Sequence, residues 1–285
     1  MTLGAAGLSQ EFSLASTHLL NNDVPMPRLG LGVWQVEDGA TVEKTTRFAL
    51  DNGYCLIDTA SIYRNEKGVG LGIARAGVAR NLVFVTSKLW NEDIRQGNEQ
   101  AAFVQSLQKL NLEYLDLYLA HWPIAEKLDS SWKALEKIYT SGKAKAVGVS
   151  NYHVPHLQQL AKTSKLVPAV NQIECHPLLQ QREVRQYCKD HGIAVQAWSP
   201  LMQGQFQGIP TLEKLSIKHK KSVPQILLRW NMQSNILTIP KSANEQRILE
   251  NAQIFDYALD EQDMNDIAAL DCGKRFGPDP DNFNF

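Results

Sequence analysis

Two hydrophobic rhythms alternate along this chain. From about residue 42, stretches with apolar positions three and four apart give way, after a short turn, to brief solid runs rich in Val, Ile and Leu. The periodic stretches at 42–51, 100–110, 131–139, 154–162 and 183–190 predict amphipathic helices. The apolar runs at 29–34, 54–57, 82–85, 115–119, 144–149, 169–173, 193–197 and 236–239 predict strands. Strands that alternate with helices return to the same sheet edge by crossovers, so they are parallel, and parallel strands are buried on both faces. No linker rich in Gly, Pro or Ser divides the chain. Eight such units in 285 residues therefore predict one closed (β/α)8 barrel of the TIM type, an α/β fold, in preference to a two-domain doubly wound sheet.

The flanks depart from the repeat. In 12–27, Asn21-Asn22-Asp23 stands between apolar residues and predicts a β-hairpin that caps the bottom of the barrel. Two helices, 211–220 and 224–233, precede the last strand, and another, 261–270, follows it. Residues 1–14 read as a poorly ordered extension and 272–285 as a C-terminal loop, which leaves a single domain over 1–285. The tail carries Phe276, Phe283 and Phe285 among Gly, Pro and Asp, as a lid over the pocket or a frayed end.

Composition narrows the function. A chain that is 44% hydrophobic and 21% charged is neither disordered nor a small disulfide scaffold. With 29 Lys and Arg against 30 Asp and Glu, the net charge of −1 gives no basic field for nucleic acid or an anionic membrane, so a small molecule is the expected partner. Four cysteines with no C-x-x-C pair fit free thiols in a reducing compartment. No apolar stretch of about 18 residues and no leader-like segment appear, and the expectation is a cytoplasmic protein.

In such a barrel, chemistry gathers where strands end. Asp58 ends the run 55–57, Lys88 follows 83–87, His121 follows 116–120, and Tyr63 lies in the loop just past Asp58. Each alone has an ordinary structural reading as a cap, a rim cation or a core histidine. Together they suit proton donation to a carbonyl oxygen: Lys88 stabilises a Tyr63 phenolate, Asp58 holds Lys88, and His121 orients the substrate. Two other readings stay open here, a Schiff-base aldolase acting through Lys88 and a barrel that keeps a cofactor site only for redox sensing. No G-x-S-x-G elbow or GK[ST] phosphate loop is present. Gly68, Gly70 and Gly72 lack a preceding strand and read as a small face of a packed helix. His153 with His156, and Cys175 with His176, lack further ligands at useful spacing, so no metal is expected.

Seven ordered segments carry a resemblance: GYCLIDTASIY (53–63), VTSKLWN (85–91), LDLYLAHWP (115–123), KAVGVSNY (145–152), VNQIECHP (170–177), VQAWSPL (195–201) and IPKSANEQRILEN (239–251). The chain resembles the aldo-keto reductases, particularly the short bacterial 2,5-diketo-D-gluconate and methylglyoxal reductase type, with Cys55 where a basic residue is usual. The resemblance implies a monomeric enzyme that reduces aldehydes and ketones with the 4-pro-R hydride of NADPH. It makes Tyr63 the general acid, Lys88 and Asp58 its pKa-lowering pair, and His121 the orienting residue. By the same resemblance Trp198 stacks on the nicotinamide, Ser150, Asn151 and Gln172 bond its carboxamide, and Ser199 and Leu201 also contact the cofactor. Lys241, Ser242 and Arg247 hold the 2'-phosphate, with Asn244 where relatives often carry Thr or a basic residue, and Glu250 and Asn251 meet the adenine. Trp34, Trp90, His121 and Trp122 ring the substrate mouth. The loop after Trp198 is short, with Met202 where Gly is usual, which implies a cofactor that exchanges easily.

Overall fold

The structure, a computed structural model, describes residues 12–285. Eight parallel strands form one sheet in chain order: β3 (Leu31–Gly32), β4 (Leu56–Asp58), β5 (Phe84–Leu89), β6 (Leu115–Ala120), β7 (Ala144–Ser150), β8 (Val170–Glu174), β9 (Ala194–Trp198) and β10 (Leu237–Thr238). The ring closes through parallel bridges from Leu29 to Thr238 and from Gly32 to Lys241. The predicted runs at 29–34 and 236–239 shrink to short strands at this seam, where the Gly30 and Gly32 N–H groups donate to the Thr238 and Pro240 carbonyls. A Cβ on Gly30 would stand 2.2 Å from Leu56, and one on Gly32 would stand 2.9 Å from the Ile239 carbonyl.

Alternation along each strand separates two cores. Leu56, Phe84, Leu117, Leu119, Ala146, Val170, Ala194 and Leu237 fill the barrel. Ile57, Val85, Tyr118, Val147, Ile173 and Val195 face the helical layer. That layer contains α1 (Ala40–Asp51), α2 (Glu66–Arg75), α4 (Glu99–Leu110), α5 (Leu128–Thr140), α6 (Val154–Thr163) and α7 (Arg182–Asp190), with α8 (Pro210–His219) and α9 (Val223–Gln233) before the last strand and α11 (Glu261–Ala268) after it. Two short helices were not read from the pattern, α3 (Asn91–Gln96) and α10 (Glu245–Ala252). In α2, Gly68, Gly70 and Gly72 let the helix press on Val42, the Leu110 carbonyl and Thr46.

The hairpin forms from β1 (Thr17–Leu19) and β2 (Pro25–Pro27) and does plug the bottom. Leu20 and Met26 join the interior core, and the Asn21 and Asn22 amides donate to the carbonyls of Pro168 and Lys145 at the strand entrances. The extension expected over 1–14 lies outside the described residues up to position 11. Its last residues are not loose, since Phe12 packs beneath the Arg28 and Arg229 guanidinium groups, 5.2 and 5.6 Å from its ring centre.

Candidate active site

The period of two that fills the barrel also builds its mouth. Continuing each inward-facing row upward replaces apolar side chains with polar ones: Leu56 leads to Asp58, Phe84 through Thr86 to Lys88, Val170 to Gln172 and Glu174, and Ala194 to Gln196 and Trp198. In the same way Leu119 precedes His121 by two residues, and Ala146 with Gly148 precedes Ser150. The functional groups therefore lie at the C-terminal ends of the strands, where a barrel of this kind concentrates its chemistry.

Lys88 is fully buried and its Nζ reaches three oxygens: Asp58 Oδ1 at 2.5 Å, the Thr59 carbonyl at 2.8 Å and the Tyr63 hydroxyl at 3.3 Å. Tyr63 closes a 3-10 turn (Ser61–Tyr63) that brings its phenol back over the strand ends and leaves the ring partly exposed. Burial works to neutralise Lys88, but Asp58 and then Tyr63 outweigh it, and its pKa rises above the ordinary lysine value. The Tyr63 phenol does not end up below the ordinary tyrosine value. Burial raises it, Lys88 only partly offsets the rise, and the net shift is upward. The expected lowering by Lys88 exists but is the smaller effect, so at neutral pH Tyr63 is a protonated phenol. Burial likewise raises Asp58 against the pull of Lys88.

His121 sits between Tyr63 and Trp90, edge-on to both at ring distances of 5.8 and 5.4 Å. Burial and the Lys88 charge hold its pKa well below the ordinary histidine value, so the ring is neutral at physiological pH. Its Nδ1 is buried without a partner. Trp90 and Trp122 follow β5 and β6, and both rings carry the tail: Phe285 stacks on Trp90 at 5.8 Å and stands edge-on to Trp122 at 5.1 Å, with Phe283 also 5.1 Å from Trp122. Trp34 follows β3 on the same rim and is 43% exposed, apart from this ring cluster. The tail is thus ordered over the aromatic mouth. A backbone oxygen of Phe285 accepts from Asn91 Nδ2 and Arg95 Nη2, at 3.1 and 2.7 Å.

The side chains expected around a nicotinamide also meet one another. Gln172 Nε2 donates to Asp58 Oδ2 and to Gln196 Oε1, both at 2.7 Å. Ser150 Oγ donates to the Gln172 carbonyl, and Asn151 Nδ2 donates to the His121 carbonyl while its Oδ1 accepts from Trp198 Nε1 at 2.7 Å. The amide hydrogens of Gln172 and Asn151 are therefore committed to the protein, which leaves their site to offer mainly acceptor groups. Ser199 and Met202 take left-handed backbone conformations at φ 47° and 49° in the turn after β9, with Leu201 between them. That conformation favours glycine and accounts for the unusual look of Met202 there.

Beyond β10, Ser242 binds the Asn244 backbone, and Asn244 caps α10 by accepting the Arg247 N–H at 3.0 Å. Capping explains why an Asn stands at this position. Lys241 and Arg247 are exposed beside this helix start, and neither pairs with a carboxylate among the described residues. On the same helix Glu250 is half-buried and Asn251 buried. Two unpaired cations at a helix N-terminus fit a phosphate dianion.

Several contributors were not read from the sequence. Gln196 extends the Asp58–Gln172 network, and its one legible signal was a polar residue inside a buried apolar run. Arg95, Asn91, Glu174 and Gly277 hold the tail, which no local pattern encodes. The tail also supplies partners for the His153–His156 pair: Asp281 lies 2.8 Å from His153 Nδ1 and 3.6 Å from His156 Nε2, with Asp279 beside them. These do not make a good metal cage. Arg275 donates to His153 Nε2 and the His153 N–H donates to His156 Nδ1, so in the neutral rings the nitrogens facing Asp281 carry hydrogens instead of lone pairs.

Comparison with known proteins agrees with this architecture. The family model described as "Aldo/keto reductase family" matches residues 28–271. The chain is 52% identical over 273 residues to a glyoxal reductase of Bacillus subtilis, covering 96% of this chain and 99% of that one. It is 46% identical to a methylglyoxal reductase of Yersinia pestis, covering 90% and 94%. Among solved structures, an aldo-keto reductase from a deep-sea metagenome library superposes with a TM-score of 0.91 at 40% identity, covering 94% of this chain and 100% of that one. An aldo-keto reductase of Bombyx mori solved in complex with NADP superposes with a TM-score of 0.87 at 34% identity, covering 95% and 97%. A closed eight-stranded barrel carrying Asp58, Tyr63, Lys88 and His121 at its mouth, together with these matches, places the chain in the aldo/keto reductase family, as an oxidoreductase of carbonyl groups.

Proposed function

We propose that the protein reduces small aldehydes and ketones with NADPH, among them dicarbonyls such as methylglyoxal, keto-sugar acids and aromatic aldehydes, and works as a monomer in the cytoplasm. The observation that carries the reading is the contact of Lys88 with both Asp58 and Tyr63, 2.5 and 3.3 Å away, beside a neutral His121. Bound NADPH supplies the hydride. The chain's own residues do the rest. Tyr63 O–H faces the carbonyl oxygen and gives up its proton as negative charge grows there. Lys88 stabilises the phenolate left behind, and Asp58 holds the ammonium in place. A neutral His121 donates a hydrogen bond to the same oxygen without adding a positive charge that would compete with Lys88.

The aromatic wall of Trp90, Trp122 and the tail phenylalanines supports a compact carbonyl compound in the pocket. For the cofactor, Trp198 provides a ring to stack on, and Lys241 and Arg247 provide cations for a 2'-phosphate. No helix among the described residues is long and apolar enough to cross a membrane. The decisive assay offers dicarbonyls, keto-sugars and aromatic aldehydes with NADPH and NADH, with Tyr63→Phe alongside. Consumption of NADPH is expected, and Tyr63→Phe should lower kcat by about 10²–10⁴-fold while leaving NADPH affinity intact. Activity retained by the variant would remove Tyr63 from the role of acid.

A further inference from the structure

Glu174 ends β8 with its side chain buried at 1% exposure, and its carboxylate collects hydrogen bonds from the chain's last segment. Phe276 N donates to Oε1 at 2.7 Å, Gly277 N donates to both oxygens at 3.2 and 3.3 Å, and the fully buried His176 Nε2 lies 3.1 Å from Oε1. Phe276 in turn packs on the His176 ring at 5.1 Å. These bonds bring Gly277 against Trp198, which is the cross-strand neighbour of Glu174. A Cβ at 277 would stand 2.3 Å from Trp198 Cη2 and 3.3 Å from Glu174 Oε2. The backbone of Gly277 is not left-handed, so the approach to the ring, not the turn, requires glycine.

The other end of the same indole is also held. Trp198 Nε1 donates to Asn151 Oδ1, and Asn151 Nδ2 donates to the carbonyl of His121. Past Gly277, the segment runs on to lay Phe283 and Phe285 on Trp122 and Trp90. One stretch of chain therefore touches the ring assigned to the nicotinamide at one end and the aromatic wall of the carbonyl pocket at the other.

We propose that Glu174 and Gly277 are positioning residues. They seat the tail against the edge of Trp198, so that a single segment sets both the indole face offered to the cofactor and the wall offered to the substrate. The proposal rests on the reading of Trp198 as the nicotinamide platform. It makes cofactor affinity depend on a residue on the far side of the indole, at its six-membered edge.

The test uses the full chain and compares Gly277→Ala, Glu174→Gln and Trp198→Ala with the parent. NADPH affinity is measured without substrate by quenching of tryptophan fluorescence, alongside kcat and KM for methylglyoxal, near-ultraviolet circular dichroism and the thermal midpoint. Gly277→Ala should raise the NADPH Kd about tenfold and alter the near-ultraviolet spectrum. Glu174→Gln keeps the volume but turns an amide N–H toward the Gly277 N–H. It should move the same readouts in the same direction, and it stands in should the alanine variant not fold. If Trp198→Ala weakens NADPH binding while Gly277→Ala and Glu174→Gln leave the Kd within about twofold of the parent, the seat is refuted and the platform stands. If Trp198→Ala leaves the Kd unchanged, the platform reading fails and the proposal with it.

Discussion

Tyr63 is pulled in two directions, by burial that keeps its proton on and by Lys88 that would take it off, and burial prevails. The acid form is complete below the ordinary tyrosine value of 10.0 and is lost only as pH rises through the raised one. His121 is pushed the other way, so it becomes charged only as pH falls well under 6.5. Between the two, from about pH 7 to 9, kcat/KM for reduction should be flat. An inflection in that window that vanishes in Tyr63→Phe would mean that Tyr63 loses its proton there, against the upward shift. On the cofactor side, Lys241→Ala and Arg247→Ala should raise KM for NADPH far more than for NADH, since each removes a cation that a plain ribose does not use. Equal effects on the two cofactors would sink the phosphate site. That Asp58, Tyr63, Lys88 and His121 meet at one mouth was legible only from the four together, since each alone reads equally well as a cap, a rim cation or a core histidine, and only their complementary chemistry at successive strand ends points one way. The size of the Tyr63 shift was not, since it depends on how deeply the folded barrel buries the phenol.

At the scale of elements, glycines decide where helices can come close. The Leu110 carbonyl of α4 stands where a Cβ on Gly70 of α2 would come within 2.2 Å, and backbone cannot swing aside as a side chain can. Gly70→Ala should therefore destabilise the protein by about 1–3 kcal/mol, read as a lower thermal midpoint with NADPH affinity unchanged. An alanine variant as stable as the parent would mean that α2 shifts freely. Strands and long helices were readable because their patterns repeat over several turns or pleats. The short α3 and α10 were not, and both owe their form to local capping or to packing: Trp90 precedes α3 with its ring against Phe285, and Asn244 caps α10.

Over the whole molecule, the long-range couplings lie at the two ends of the barrel axis. At the top, the segment between β9 and α8 is brief and holds one 3-10 turn (Met202–Gly204). Cofactor release followed by stopped flow should be a single rapid phase; a slow step ahead of release would show that some other segment closes over it. Tail contacts at this end join distant residues, such as Phe276 with Glu174, 102 positions apart, and Phe285 with Asn91, 194 apart, and no window of sequence contains both partners.

At the bottom, the hairpin plug reverses the order of synthesis. Residues 17–27 are made before any barrel strand, yet their anchors come much later: Asn22 waits for the Lys145 carbonyl, Asn21 for that of Pro168, and neighbouring Arg28 for Asn235. Leu20 and Met26 have no interior to enter until β10 meets Leu29 and the ring shuts. The loop so closed spans some two hundred residues, and a contact that distant forms late and slowly. The first piece of barrel core to leave the ribosome is thus expected to be the last seated, and during that interval Leu20 and Met26 are exposed to whatever else binds nascent chains.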